Sequence, residues 1–451
     1  MHPTSDLELI ASAFTLPNLA FEWIGIFCLV VFVIGYYFIA AEEKYHINKT
    51  KPALFIGTLM FITIGFYLLI NGLPTHLLKE EVNAQILEIS QIIFFLMVAM
   101  TFIEALTERD AFNALKYKLT SRGFSYKKLF WLTGLLAFFI SPVADNLTTA
   151  LILSTVLLTI DKSKPDFLVP GAINIVVAAN AGGAWSPFGD ITTLMVWTAE
   201  KGAFLDFFSL FPSAFIGWAL TAYLLALYVP KGAPEFDAKS EKPVAMKAGG
   251  LWVIILGAFT ITCAVSLHSL YELPAMWGML YGLSIFGIYS YFFNQYHQRR
   301  GKPDRIDIFA YMMRIEMDTL MFFFGILAAV GALHFTGWLG YAARLYDITG
   351  ATAANIGVGF ISAIVDNVPV MSAVLKTSPN MGLDQWLLVT LTAGIGGSLI
   401  SFGSAAGVGV MGKMRGIYTF MAHLRYAWTI LAGYFVSLLV WYFQFELLRW
   451  Y

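Results

Sequence analysis

The sequence predicts an all-α polytopic membrane protein of about ten transmembrane helices plus two re-entrant hairpins, set in an inverted repeat with broken helices. Three observations lead there. Of the 451 residues 58% are hydrophobic and only 13% charged, where a soluble domain holds about 25% charged residues. The apolar residues arrive in runs of about 18–25, long enough to cross a bilayer as helices. A membrane β-barrel would instead show alternating segments of roughly ten residues, which the chain lacks. Finally, two of the runs are interrupted by the same acidic motif, Asp145-Asn146 in one and Asp366-Asn367 in the other.

In chain order the apolar segments fall at 21–41, 52–71, 83–106, 129–160, 166–199, 204–229, 249–267, 274–293, 317–339, 351–375, 384–411 and 425–448. Segments 129–160 and 351–375 stand apart. The first is long enough to cross once with a wide margin or to enter and return, and is interrupted by Pro142; the second is interrupted by Asp366-Asn367 and by Pro369. Charge sidedness decides their threading, because cytoplasmic loops hold an excess of Lys and Arg. With the N-terminus outside, both odd segments re-entrant and the others crossing, 23 of the 28 basic residues become cytoplasmic, among them Arg109, Arg122, Lys239, Lys242, Lys302 and Arg314. Lys79, Lys201, Arg344, Lys376 and Arg449 fall outside. Both termini are then external. The hairpin with Asp145 dips in from the cytoplasm and that with Asp366 from the outside, so their tips approach near the midplane. Non-helical backbone is tolerated there only when buried in protein or lining a cavity.

An internal repeat supports this threading. Phe139-Ile-Ser141-Pro-Val-Ala-Asp145-Asn146 resembles Phe360-Ile-Ser362-Ala-Ile-Val-Asp366-Asn367. The segments that follow share Gly182-Gly183 with Phe188-Gly189, and Gly396-Gly397 with Phe402-Gly403. The chain divides accordingly into N-terminal scaffold helices (1–82), a first repeat (83–230), a cytoplasmic loop with connecting helices (231–293) and a second repeat (294–451).

The rest of the composition mainly excludes. The net charge of −1 says nothing about partners, since the sidedness of charges matters more than their sum. No nucleic-acid partner is expected, and Cys28 and Cys263 lie in apolar runs that suggest no disulfide framework. Asp6 and Glu8 argue against a cleavable signal peptide. No phosphate-binding loop or metal-ligand cluster is visible, so neither a cofactor nor enzymatic chemistry is expected.

A charge in the bilayer centre costs about 2.5–3.5 kcal/mol on insertion scales, so the central acids ask for a function. The segment after the first hairpin holds Asn180, Gly182-Gly183, Ser186-Pro187, Asp190, Thr192 and Thr193. Glycine and proline loosen a helix there, and the carbonyls so released suit a hard cation. The equivalent later stretch offers Ser398, Ser401 and Ser404 but no carboxylate. Candidate cation- and proton-binding residues are therefore Asp145, Asn146, Thr148, Thr149, Asn180, Asp190, Thr192, Thr193, Ser362, Asp366, Asn367, Ser401 and Ser404, with Na⁺ expected at Asp145, Asn146, Asp190, Asp366 and Asn367. Desolvation favours the neutral form of a carboxyl and a bound cation favours the charged form. Such a site holds either protons or Na⁺, and their competition couples the two fluxes, the acids titrating as a set.

Plainer readings stand beside these. Asp-Asn at a buried turn can simply cap half-helices, which is compatible with ion binding. Asn180 can be an interhelical hydrogen-bonder, the serines and glycine pairs can be close-packing residues, and Glu104, His334 and His423 can be interfacial or packing residues.

The motifs Ser-Pro-Val-Ala-Asp-Asn-Leu-Thr-Thr (141–149), Asn-Ala-Gly-Gly-Ala-Trp-Ser-Pro-Phe-Gly-Asp-Ile-Thr-Thr (180–193) and Asp-Asn-Val-Pro (366–369) resemble those of the NhaD-type sodium/proton antiporters, in the ion transporter superfamily. The resemblance covers most of the chain, from about segment 83–106 to the end. It implies extrusion of Na⁺, and of Li⁺, driven by inward protons in a bacterial cytoplasmic (inner) membrane, serving pH homeostasis and salt tolerance. It also implies a homodimer related in fold to the dicarboxylate symporters. Those symporters have Ser-Asn-Thr at the hairpin tips, where this chain has Asp145-Asn146 and Asp366-Asn367. The alternatives are a Na⁺-coupled organic-anion symporter and a passive cation channel.

Overall fold

The computed structural model describes residues 18–45, 47–120, 123–234, 244–301 and 304–449. The N-terminal stretch with Asp6 and Glu8, Arg122, Lys302, and Lys239 and Lys242 of the expected loop 231–247 lie outside the described residues. Among the described residues every regular element is a helix. In order these are α1 (Trp23–Ala40), α2 (Glu42–Tyr45), α3 (Thr50–Ile70), α4 (His76–Glu108), α5 (Ala111–Thr120), α6 (Tyr126–Ala144), α7 (Asn146–Ile160), α8 (Pro165–Gly183) and α9 (Ile191–Thr198). A 3₁₀ turn (Asp206–Leu210) leads into α10 (Phe211–Ala226), followed by α11 (Gly250–Tyr271), α12 (Ala275–Arg299), α13 (Ile308–Met312), α14 (Met317–Phe335), α15 (Leu339–Thr349), α16 (Ala351–Ile364) and α17 (Asn367–Thr377). The last are α18 (Leu383–Gly396), α19 (Ala405–Lys413), α20 (Phe420–Leu424) and α21 (Ala427–Tyr442). Nine helical stretches among the described residues are long and apolar enough to cross a membrane, and α7 and α16 are shorter apolar helices. The protein is an integral membrane protein.

The described residues form two compact units. The first takes in the chain up to Ile93, Met317–Gly350 and Ser372–Asn380. Within it α3 lies along α14, where a Cβ on Gly57 would strike the carbonyl of Gly325 and one on Gly325 the backbone of Ala53. Small residues at such crossings let helix backbones approach in a membrane. Glu81 in this unit faces His334 at 3.1 Å, and Lys376 pairs with Glu88 at 3.2 Å. The long α4 therefore begins earlier than the apolar run 83–106, its charged first turns being answered by partners in the fold.

The second unit takes in Phe94–Glu316, Ala351–Met371 and Met381–Tyr451. In it α6 packs along α8 and α16 along α18, the same pairing in each repeat. The helices α10 and α21 pack together, as do the consecutive α11 and α12, where Gly278 and Gly282 meet Ala264 and Thr260. The first hairpin breaks at Asp145 and not at Pro142, which stays inside α6. Pro142 lacks the N–H that would bond the carbonyl of Phe138 one turn back. That carbonyl faces Gly182, where any Cβ would strike it. The proline thus marks a close helix crossing, and the chain turns three residues later. Pro369 likewise sits in the first turn of α17, where its missing donor is not needed.

Candidate functional site

Four interruptions meet in the second unit: the hairpin breaks at Asp145 and Asp366, and the unwound stretches between α8 and α9 and between α18 and α19. They are built alike. Ser141 donates to Ala179 O at 2.6 Å, and its counterpart Ser362 donates to Ala393 O at 2.8 Å. Gly182 meets Phe138 O as Gly396 meets Gly359 O, and Gly183 meets Gly189 O as Gly397 meets Gly403 O. Each contact needs a residue without a side chain, which explains the repeated glycine pairs.

Every break hands its side chain to the helix that follows. Asp145 Oδ1 accepts Thr148 N at 2.9 Å and its Oδ2 accepts Thr148 Oγ1 at 2.7 Å. Asp366 Oδ1 accepts Val368 N at 3.3 Å, Asp190 Oδ1 accepts Thr192 N at 3.2 Å and Ser404 Oγ accepts Gly407 N at 3.3 Å. These are N-caps, so the capping reading of the Asp-Asn pairs holds alongside any other. Helix N-termini are partially positive and attract anions. Here that attraction is met by the chain's own oxygens. Asp145 reaches its position with φ 56° and ψ 162°, a region costing about 1–3 kcal/mol for a residue with a side chain.

The four breaks are joined by amides. Asp190 is 3% exposed and Asp366 4%, whereas Asp145 is half-buried. Asp190 Oδ2 accepts Asn146 Nδ2 at 3.0 Å and Asn367 Nδ2 at 3.0 Å, one from each hairpin. Asn146 Nδ2 also lies 3.1 Å from Asn180 Oδ1, and Asn180 Nδ2 donates to Ser398 Oγ and Ser404 Oγ, both at 2.8 Å. One connected network thus runs from the first hairpin through Asp190 and Asn180 to the second broken helix, with Asn367 entering from the second hairpin. Among the described residues, neither Lys nor Arg joins these bonds.

The remaining candidates divide. Among the described residues, Thr149 Oγ1, Thr192 Oγ1 and Ser401 Oγ are buried hydroxyls that find no hydrogen-bond partner, oxygens able to serve a small cation or water. Thr193 Oγ1 donates to Gly183 O at 3.3 Å and Ser362 to Ala393 O, so both tie backbone. Thr148 is committed to Asp145. Ser398 was absent from the sequence-derived set although it receives Asn180; the signal was its place directly after Gly396-Gly397. His423, read from sequence as an interfacial or packing residue, has Nε2 3.0 Å from Ser398 O and Nδ1 2.6 Å from Tyr418 OH. Glu104 lies 3.6 Å from Arg314, a surface pairing apart from this network.

The family described as "Citrate transporter" matches residues 36–394. The chain is 42% identical over 444 residues to the Na(+)/H(+) antiporter NhaD of Alkalimonas amylolytica, covering 94% of this chain and 91% of that one. It is 41% identical over 438 residues to the Na(+)/H(+) antiporter NhaD of Vibrio cholerae, covering 92% and 91%. Similarity extends to sodium/proton antiporter 1 of Arabidopsis thaliana, 31% identical over 398 residues, covering 86% of this chain and 67% of the plant protein. The chain belongs to the NhaD-type sodium/proton antiporter family, within the broader family described as citrate transporters.

Proposed function

We propose that this protein is a secondary active transporter exchanging cytoplasmic Na⁺, or Li⁺, for external H⁺ across a bacterial inner membrane, with both termini outside. The sodium/proton antiporters among its relatives support the exchange. The observation that supports the site is the meeting of Asn146 and Asn367 on one oxygen of Asp190. A carboxylate so placed has its charge shared between both hairpins. A proton on Asp190 removes that charge, and a cation beside it satisfies it. The ions therefore compete for Asp190, with Asp145 and Asp366 as the neighbouring acids. An asparagine amide turned by half a rotation presents carbonyl oxygen in place of N–H. Asn146 and Asn367 can thus serve the carboxylate when no cation is bound and the cation when one is. The buried hydroxyls of Thr149, Thr192 and Ser401 extend the oxygen set. On this reading residues 83–230 and 294–451 act as the two repeats, and the protein works as a homodimer in lipid.

A Na⁺-coupled organic-anion symporter is the second reading, favoured by the convergence of half-helix N-termini and by the family's description. The acidic caps count against it, since an anion would meet Asp145, Asp190 and Asp366. Purified protein in proteoliposomes with an imposed pH gradient separates the two. Exchange predicts that Na⁺ or Li⁺ collapses the gradient without citrate. Citrate uptake that needs Na⁺, with no cation-driven proton movement, would establish the symporter instead.

A further inference from the structure

We infer that His423 is a positioning residue for the cation site, acting through the unwound turn between α18 and α19. The inference rests on the exchange reading above and adds to it a residue that touches neither ion.

The two broken helices are pinned by different means. In the first, Ser186 Oγ donates to Pro142 O at 2.9 Å and accepts Phe188 N at 3.3 Å, tying the break to the first hairpin. The repeat puts Ile400 where Ser186 stands, counting back from Phe402 as from Phe188. Ile400 has no hydroxyl, so the second break cannot make that bond. It is held from α20 instead, by His423 on the carbonyl of Ser398.

The tautomer follows from the partners. A carbonyl can only accept, so Nε2 bears the hydrogen and Nδ1 of the neutral ring accepts from Tyr418 OH. His423 and Tyr418 are each 1% exposed, so neither bond is exchanged with solvent. The consequence reaches Asn180. With Ser398 held, Ser398 Oγ and Ser404 Oγ both take the Asn180 N–H₂ group, which leaves Asn180 Oδ1 facing Asn146, itself a donor to Asp190. If Ser398 shifts, the amide loses one of the two acceptors that fix its orientation, and its oxygen is no longer held on the ion side. His423 should therefore set how tightly the cation is held, with little effect on the rate once the cation is bound.

The test compares wild type with His423→Ala, His423→Gln, His423→Asn and Tyr418→Phe in proteoliposomes, reading the apparent KM for Na⁺ and the maximal rate separately. Folding is checked by monodispersity on gel filtration. Gln places an amide N–H where Nε2 was, whereas Asn reaches only the Nδ1 position. The loss of one net hydrogen bond predicts that His423→Ala and His423→Asn raise KM about three- to tenfold at nearly unchanged maximal rate, that His423→Gln restores KM, and that Tyr418→Phe falls between. If His423→Ala does not fold, the Gln and Asn pair still decides. An unchanged KM in the folded variants, a loss of maximal rate alone, or equal defects in Gln and Asn would overturn the inference. Absence of Na⁺-driven proton movement in the wild type would count against the exchange reading itself, which separates the two failures.

Discussion

Asn146 and Asn367, from opposite hairpins of the repeat, donate to the same oxygen of Asp190, each at 3.0 Å. Two donors on one acceptor make that oxygen the place where a change of charge is felt by both hairpins at once. Replacing either amide by Ala removes a hydrogen bond that favours the charged form of Asp190 over the protonated one, worth about 1.5–3 kcal/mol, together with the oxygen that would serve the cation. Asn146→Ala and Asn367→Ala should each raise the apparent KM for Na⁺ by about ten- to a hundredfold, read from cation-dependent collapse of a pH gradient. Unequal effects, with one variant like wild type, would show that only one hairpin serves the ion.

Asp145 combines a cap, a charge and an unfavourable backbone, and substitutions separate these. Asp145→Asn keeps an oxygen for Thr148 N and removes the charge. Its melting temperature should stay close to wild type while exchange is lost. Asp145→Ala also loses the cap, at about 0.5–2 kcal/mol, and should melt lower as well. Both are read by thermal unfolding in detergent beside the transport assay.

The glycine crossings predict a stability pattern independent of function. A Cβ at Gly182 meets the carbonyl of Phe138 and one at Gly396 meets that of Gly359, whereas a Cβ at Gly357 meets nothing within 4 Å. Gly182→Ala and Gly396→Ala should destabilise by about 1–3 kcal/mol, and Gly357→Ala should be neutral or slightly stabilising within its helix. Thermal unfolding of the three variants checks the order.

Arg109, read from sequence only as one of the cytoplasmic basic residues, is 2% exposed. It bonds Asp304 Oδ1 at 2.7 Å, Arg305 O at 2.7 Å and Ala248 O at 3.3 Å. Asp304 is partly exposed, so Arg109→Ala loses hydrogen bonds of a charged group, worth about 1.5–3 kcal/mol, and should lower yield and melting temperature. Arg109→Lys should rescue poorly, because an ammonium cannot span three acceptors held by a planar fork. Full rescue by Lys would reduce the role to charge alone.

What the sequence revealed and what it hid follow from how local each signal is. The breaks at Asp145 and Asp366 were legible because an acid in an apolar run is conspicuous, and the unwound stretches because Gly182-Gly183 and Gly396-Gly397 loosen a helix wherever they lie. Pro142 misled in a specific way: its missing donor signals a freed carbonyl one turn back, and here a glycine from another helix packs against that carbonyl while the helix runs on to Ala144. The meeting of Asn146 with Asn367, the Asn180–Ser398 contact and the reach of His423 to a carbonyl 25 residues earlier depend on how helices pack, and no spacing announces them. Arg109 shows the same limit, since sidedness rules count a charge without asking what it touches.

The central claim is that Na⁺ and protons compete at Asp190. Proton release on adding Na⁺ to the purified protein in weakly buffered detergent tests it most directly. The account predicts protons released in proportion to Na⁺ bound, with release abolished in Asp190→Asn. Na⁺ binding without proton release, or release unchanged in Asp190→Asn, would contradict it.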